Sequence, residues 1–386
     1  MIAPLLAWWT AVAAGVPTAM LALECLVGAR RRAVPPGTVA PAFLVVMPAH
    51  DEASGIEASV RAALAHLRPG DELLVVADNC ADDTAARARR LGATVIERID
   101  PARRGKGHAL DHARAFIAAH RPQASAIIVL DADCTVLPGG LAALAARAVA
   151  GAAAVQGVFL LAAPAGTDAI VRVSGFAFLI KNLVRQQGLE RLSGAALLHG
   201  SGMAFPRTMF LAMRWPGGSL VEDLEMGLDL LLAGERVVVE PAARVLSAAS
   251  SLAGTGSQRR RWEHGMMQTA WRYIPRLLAR APRRPALAVV ALDLMVPPTV
   301  LLALCSLGAG VAVFALAGWS PPLLALLAAQ AAAAAGLLRA WWHHGRDLIP
   351  LAGLRALPSY CAWKLPLIAQ FLTRRQREWT RTERLP

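Results

Sequence analysis

The chain has 386 residues, 56% of them hydrophobic, with a net charge of +13 and a mean hydropathy of +0.45. That is too apolar for an ordinary soluble enzyme and too charged for a bundle of membrane spans alone, so a mixed architecture is expected. The whole excess of positive charge lies in three blocks: Arg30–Arg32, residues 258–286 with eight arginines against Glu263, and residues 374–384 with five arginines against Glu378 and Glu383.

Each basic block adjoins an apolar segment, as the positive-inside rule requires, and each would be drawn to anionic lipid headgroups. A nucleic-acid partner would call for a basic stripe with stacking aromatics inside a soluble domain, and none is present. The five cysteines (25, 80, 134, 305, 361) show no Cys-x-x-Cys or zinc-like spacing and read as reduced thiols.

Residues 1–32 form the first predicted element. The apolar stretch 1–29 is long enough to span a bilayer, and its charges follow rather than precede it, so it reads as a retained anchor with its C-terminal end in the cytosol. Residues 41–285 are expected to be a cytosolic catalytic domain. Within it, the apolar runs Phe43–Met47, Leu73–Ala77, Thr94–Ile96, Ile127–Leu130, Ala153–Leu161 and Val237–Val239 alternate with Ala-rich helical stretches. This pattern predicts an α/β fold on a mostly parallel sheet, with function at the carboxyl ends of the strands. Residues 248–257 read as a flexible loop ahead of Gln258. Residues 286–318 and 323–338 read as two spans, out and back, placed within 286–340. The tail, 347–386, reads as an amphipathic interfacial helix over 348–373 followed by a basic cytosolic end. Glu24 and Asp293, near the ends of their spans, are expected to snorkel to the interface.

The acidic residues sit where the fold would use them. Asp51 and Glu52 follow the first strand run, Asp78 the second, and Asp131-Ala132-Asp133 the fourth. Two carboxylates one residue apart at a strand end can hold Mg2+ or Mn2+ against phosphate oxygens, although an isolated Asp-x-Asp more often serves a turn. Asp78 could accept the imide N–H of uracil, while Asp82 and Asp83 are the better helix caps. Arg104-Gly105-Lys106-Gly107 precedes a helix, and Lys106 offers a charge for phosphate. His199-Gly200-Ser201-Gly202 is either the floor of an acceptor pocket or a plain turn. Glu222-Asp223 opens a helix, and Asp223 is the candidate general base, with neighbouring like charge available to raise a carboxyl pKa. Gln258, Arg261 and Trp262 offer a polar contact, a charge for a diphosphate and an aromatic face, whereas Arg259 and Arg260 read as interfacial charge. The Gly-x-Gly-x-x-Gly and Gly-x-x-x-x-Gly-Lys patterns are absent, which removes the main support for dinucleotide and P-loop readings.

The ordered set Asp78, Asp131-x-Asp133, Glu222-Asp223 and Gln258-x-x-Arg261-Trp262 resembles the family 2 glycosyltransferases, in particular the membrane branch of cellulose, hyaluronan and chitin-oligosaccharide synthases. The resemblance covers roughly residues 41–285. It implies a GT-A-like fold and an inverting transferase that takes a UDP-sugar and makes a β-linkage. In that family an aspartate like Asp78 contacts uracil and an acid like Asp133 binds the metal; together with the residue readings above, Asp51, Glu52, Asp78, Lys106, Asp131 and Arg261 are expected to bind the donor, and Asp131 and Asp133 to hold the metal. The resemblance makes Asp223 the base and gives Gln258 and Trp262 to the acceptor site, which Gly200, Ser201, Gly202 and Glu222 are expected to line as well. Val221 stands where such enzymes often carry Thr, and no Phe-x-Val-Thr element follows. With about three spans, addition of one or a few sugars to a lipid-linked or saccharide acceptor in exopolysaccharide or envelope glycan synthesis is expected, at a bacterial-type inner membrane. The alternatives are glycolipid formation on a ceramide-, hopanoid- or diacylglycerol-type acceptor, a processive synthase assembled as a homo-oligomer, and a non-catalytic nucleotide-sugar-binding scaffold.

Overall fold

The structure is a computed structural model that describes residues 2–30, 40–162, 166–215, 221–247 and 252–373. The basic tail expected at 374–386 lies outside the described residues. The chain divides into two compact units. One gathers Met1–Arg31, Ala163–Gly194 and Leu252–Thr382, and the other is built on Arg32–Ala162 and Ala195–Ser251.

The second of these is an α/β unit with one eight-stranded sheet. Its strands are β1 (Phe43–Ala49), β2 (Glu72–Asp78), β3 (Thr94–Arg98), β4 (Ala126–Val129), β5 (Cys134–Val136), β6 (Ala154–Leu161), β7 (Met203–Pro206) and β8 (Val237–Ser247), in the order β3-β2-β1-β4-β7-β6-β8-β5. Strands β1 to β4 run parallel to one another, as do β6 and β8. β7 runs antiparallel to both β4 and β6, and β5 antiparallel to β8.

All six apolar runs became strands because both faces of a parallel sheet are covered by helices, so continuous apolar sequence is what such strands need. Phe43, Leu44, Met47, Leu74, Ile127 and Ile128 are fully buried, each removal from water contributing roughly 1.5–3 kcal/mol. The two short antiparallel strands carried no comparable signal. Crossover helices Ile56–Leu64, Thr84–Arg90 and Lys106–His120 leave the loops after β1, β2 and β3 at one edge, the carboxyl edge of the parallel strands.

The other unit is helical. It contains Ile2–Gly28, a continuous stretch Ala169–Ser193 whose middle (Ile180–Arg185) widens to a π-helix, then Leu252–Arg280, Ala286–Leu294, Thr299–Ala317, Pro321–Ala340 and Leu357–Thr373. Three helices among the described residues are long and apolar enough to cross a membrane: Ile2–Gly28, Thr299–Ala317 and Pro321–Gly345. Ala7 and Ala11 of the first pack with Val313, Leu323 and Leu326 of the other two. A Cβ at Gly28 would overlap the Val184 carbonyl oxygen, so glycine is what lets the first helix touch the 169–193 helix backbone to backbone.

Several expectations are corrected here. Residues 252–257 are not loop but the first turns of the Leu252–Arg280 helix; 248–251 lie outside the described residues. The apolar stretch 286–318 is not one span. Pro297 and Pro298 strip N–H donors from the backbone and force extended geometry on the residue before each, so a nine-residue helix ends at Leu294 and the span begins at Thr299.

Glu24 and Asp293 do not snorkel. Both are buried and both bind Arg185, Glu24 Oε2 accepting from its Nε at 2.6 Å and Asp293 Oδ1 from its Nη2 at 2.6 Å. The region 348–373 is not a single surface helix. A 3-10 turn (Leu351–Ala356) precedes the α-helix, and Lys364 of that helix is buried in an ion pair with Glu263.

Candidate active site

Loops at strand ends bring the chemical groups of the α/β unit together. Lys106 is the first residue of its helix, not part of the loop before it. Its ammonium donates to Asp131 Oδ1, just past β4, and to the Gly200 carbonyl oxygen. Burial pulls the Lys106 pKa down, but the Asp131 carboxylate and, more weakly, Glu222 and Asp223 lift it above its ordinary value.

Gly200 has φ +92°, a left-handed backbone that a side chain would strain. A Cβ there would also stand 3.1 Å from Asp223 Oδ2 and 3.9 Å from Lys106 Nζ. Asp223 therefore faces the same small space as the lysine. Glu222 and Asp223 open the Glu222–Ala233 helix, as expected. Partial burial, then the Asp223 charge, push the Glu222 carboxyl up to about 7, with Lys106 opposing.

Asp133 is braced on both oxygens. Cys134 Sγ donates to Oδ1 at 3.3 Å, and the Ser247 hydroxyl at the end of β8 donates to Oδ2 at 3.2 Å. Ligand atoms of Asp131, Asp133 and Cys134 lie within 4.8 Å of one another. Burial holds the Cys134 thiol well above its usual range, so it stays protonated and is no partner for a hard cation. The two carboxylates are what fit a divalent ion such as Mg2+ or Mn2+.

A second group sits at the ends of β1 and β2. Asp51 and Asn79 are non-glycine residues with positive φ, +53° and +51°. Strain of this kind is kept where surrounding structure over-determines it, often at binding sites. Asp51 Oδ1 accepts from the Ala81 N–H at 2.6 Å, and the Glu52 N–H donates to Thr84 Oγ1 at 2.9 Å. Asp78 is buried and does not cap a helix. Its Oδ1 accepts from Arg98 Nη1 at 2.6 Å and Asn79 Nδ2 at 3.1 Å; at the next helix the N-cap residue Asp83 makes no side-chain cap bond, and Asp82 Oδ1 instead accepts from the N–H of the first helical residue, Thr84, at 3.0 Å.

Gln258, Arg261 and Trp262 lie on the Leu252–Arg280 helix and thus belong to the helical unit. Trp262 stacks on Phe178 at 5.3 Å. Arg259 is buried, not interfacial: its guanidinium lies over the Phe178 ring at 4.6 Å and donates to Ser174 Oγ at 3.0 Å and to the Ser174 carbonyl at 2.9 Å. Nothing in a run of three arginines marks which one turns inward.

A family model described as "Glycosyltransferase like family 2" matches residues 41–265, more than half of the chain. The chain belongs to this glycosyltransferase family. Among solved structures, the mannosyltransferase PcManGT from Pyrobaculum calidifontis, in complex with GDP-Man and Mn2+, is similar at 20% identity and a TM-score of 0.57, over 96% of this chain and 100% of that one. At that identity the likeness establishes the fold, the α/β nucleotide-sugar transferase arrangement expected from the sequence. A glucosyl-3-phosphoglycerate synthase from Mycobacterium tuberculosis, in complex with Mg2+ and uridine diphosphate, is 21% identical with a TM-score of 0.43, over 60% of this chain and 83% of that one. No curated protein matches.

Sequence reading missed two contributors, Ser247 and Gln156. Ser247 sits at a strand end with nothing local to distinguish it. Gln156 did leave a signal, as a lone amide inside the apolar run 153–161.

Proposed function

We propose that this glycosyltransferase is a membrane-bound inverting enzyme that transfers a sugar from a UDP-sugar to a lipid-linked or growing saccharide acceptor. The product is a β-linkage made in exopolysaccharide or envelope glycan synthesis. The observation that carries this reading is the convergence of Asp223 and Lys106 on the side-chain-free surface of Gly200, with the Lys106 ammonium also bonded to Asp131.

Asp223 takes the proton of the acceptor hydroxyl. The hydroxyl oxygen then bonds to the anomeric carbon from the face opposite the diphosphate. The carbon–oxygen bond to the diphosphate breaks, and its electron pair leaves on the nucleoside diphosphate. One displacement with one base inverts the anomeric centre.

Lys106 opposes the charge that grows on the leaving group, and it lies within the electrostatic reach of Asp223. Asp131 and Asp133 would hold Mg2+ or Mn2+, which when bound neutralises diphosphate oxygens as a Lewis acid. Glu222, neutral below about pH 7, can donate a hydrogen bond to a sugar hydroxyl. Asp51, Glu52 and Asp78 hold the nucleoside end, with Asp78 fixed in place by Arg98. For Gln258, Arg261 and Trp262, on the helical unit, the acceptor and diphosphate roles rest on their resemblance to the cellulose, hyaluronan and chitin-oligosaccharide synthases alone. Three candidate spans among the described residues favour addition of one or a few sugars over extrusion of a polymer by a single chain.

The test is nucleoside diphosphate release by the detergent-purified chain with Mn2+ or Mg2+, over a panel of UDP-sugars and GDP-mannose, with and without membrane lipid extract. Turnover of a UDP-sugar that stops with chelator supports the reading. Turnover of GDP-mannose alone overturns the UDP donor, and nucleotide binding without turnover in any mixture favours a scaffold.

A further inference from the structure

One buried polar residue outside the groups assigned above touches the framework of the site. Gln156 lies in the middle of β6 and is 0% exposed. An amide in such a place must satisfy both of its ends or lose the cost of leaving water. It does so on the loop that carries Gly200. Gln156 Oε1 accepts from the His199 N–H at 2.7 Å. Its Nε2 donates to the Ser201 carbonyl at 2.8 Å and to its own neighbour's carbonyl, Gly157, at 2.8 Å. The amide thus closes on both ends of the turn His199-Gly200-Ser201.

That turn meets each of the reacting groups. The Gly200 carbonyl receives the Lys106 ammonium, the Ser201 hydroxyl receives the Asp131 backbone N–H at 3.1 Å, and Gly200 faces Asp223. The turn is followed by backbone anchors: the Gly202 N–H donates to Val129 O at 2.9 Å, and the Gly157 N–H to Gly202 O at 2.8 Å. Gly200 and Gly202, at φ +92° and +69°, give the segment the widest backbone freedom available to it. A glycine-rich turn does not hold its own shape, so a rigid element must supply it.

We infer that Gln156 is a positioning residue for sugar transfer. Its amide clamps the 199–201 turn so that Lys106, Asp131 and Asp223 keep the mutual geometry an acceptor hydroxyl needs. This rests on the function proposed above. Gln156 touches no substrate in this scheme and acts through the turn. A side chain of similar volume without the amide would fill the space and take its bonds from the His199 N–H and Ser201 carbonyl of the turn and from the Gly157 carbonyl of β6.

The experiment compares the full-length parent with Gln156→Leu and Gln156→Glu in detergent. It reads hydrogen exchange over residues 196–204, UDP affinity, and donor turnover against pH. Gln156→Leu is expected to speed exchange in 196–204 but not in β1 or β2, to keep UDP affinity near the parent's, and to lower kcat about ten- to a hundredfold through misplacement of the reacting groups. Gln156→Glu is the informative partner. A buried carboxylic acid, when protonated, still offers one donor and one acceptor, so it can keep the His199 and Ser201 bonds. Ionised, it faces two carbonyl oxygens. Its turnover should therefore fall as pH rises, relative to the parent, and recover on acidification.

Unchanged exchange in 196–204 of Gln156→Leu would overturn the clamp. Faster exchange with parental kcat would overturn the positioning role. If Gln156→Leu does not fold, a Gln156→Glu profile that simply tracks the parent's overturns the inference, and recovery on acidification supports it. A parent that turns over no donor defeats the proposed function instead, and the exchange data still decide the clamp.

Discussion

Two basic side chains organise acidic partners in this molecule, and they do so in opposite ways. Lys106, in the α/β unit, meets Asp131 with side chains that are 20% and 31% exposed, and Glu222 and Asp223 add more negative charge nearby. Arg185, in the helical unit, meets Glu24 and Asp293 with all three side chains under a tenth exposed. The first cluster has more acid than base and remains reachable from solvent, so an incoming cation or diphosphate can rearrange it. The second is sealed, and its guanidinium fork is satisfied by carboxylates from the first helix and from Ala286–Leu294. A lysine's compact ammonium suits exchange of partners, and an arginine's planar fork suits a fixed joint. Charge placed where water reaches it is available for chemistry, and charge sealed from water is committed to structure.

The sharpest way to break the comparison is to remove the base on the open side. Asp223→Asn should lower kcat by about 10²–10⁴-fold while leaving the melting temperature in detergent near the parent's. Parental turnover in that variant would mean that another carboxylate, with Glu222 the first suspect, takes the proton.

On the sealed side, Arg185→Met keeps the bulk and leaves two acids buried without their counter-charge. The expected cost is about 3–5 kcal/mol of stability, read as a large drop in melting temperature. A variant as stable as the parent would show the joint to be dispensable.

Lys106→Met should act on binding instead. Loss of the ammonium is expected to weaken donor affinity by about 1.5–3 kcal/mol, near ten- to a hundredfold. Lys106→Arg should rescue it poorly, because a planar fork does not reproduce a point charge shared between Asp131 and the Gly200 carbonyl. Full rescue by arginine in a titration with UDP would contradict that account.

The smallest effect concerns pH. Glu222 is held at about 7, above its ordinary 4.5, by burial and by Asp223. The folded chain therefore binds a proton that the unfolded chain has released, and this contribution to stability is full below about 4.5 and fades as pH rises through about 7. Glu222→Gln removes the titration. Melting curves from about pH 5 to about pH 8 should decline less steeply for the variant than for the parent, and parallel curves would refute the assignment.

Much of the α/β unit was legible in advance. Each of its parallel strands is built round an apolar run, and such runs and turn residues are local properties that a single sequence displays. The acids at the ends of β1, β2 and β4 were legible for the same reason, since a strand that stops at an aspartate announces its own edge. β7 escaped because four residues antiparallel to two distant strands have no local pattern of their own. The inward turn of Arg259 and Lys364 escaped as well. Composition predicts that charge stays in water, and only a partner far along the chain, Ser174 for one and Glu263 for the other, makes burial affordable.

By itself, then, the sequence determined the family, the α/β architecture, the apolar helices and the identity of the acids at the strand ends, because each of these is written in residues close together along the chain. Tertiary structure alone decided which charges stay open to solvent and which are sealed in joints, and it set the partners of Gln156 and Ser247. Those outcomes depend on desolvation and on hydrogen-bond partners brought together from 43 to 161 positions away, and no local pattern encodes such pairings.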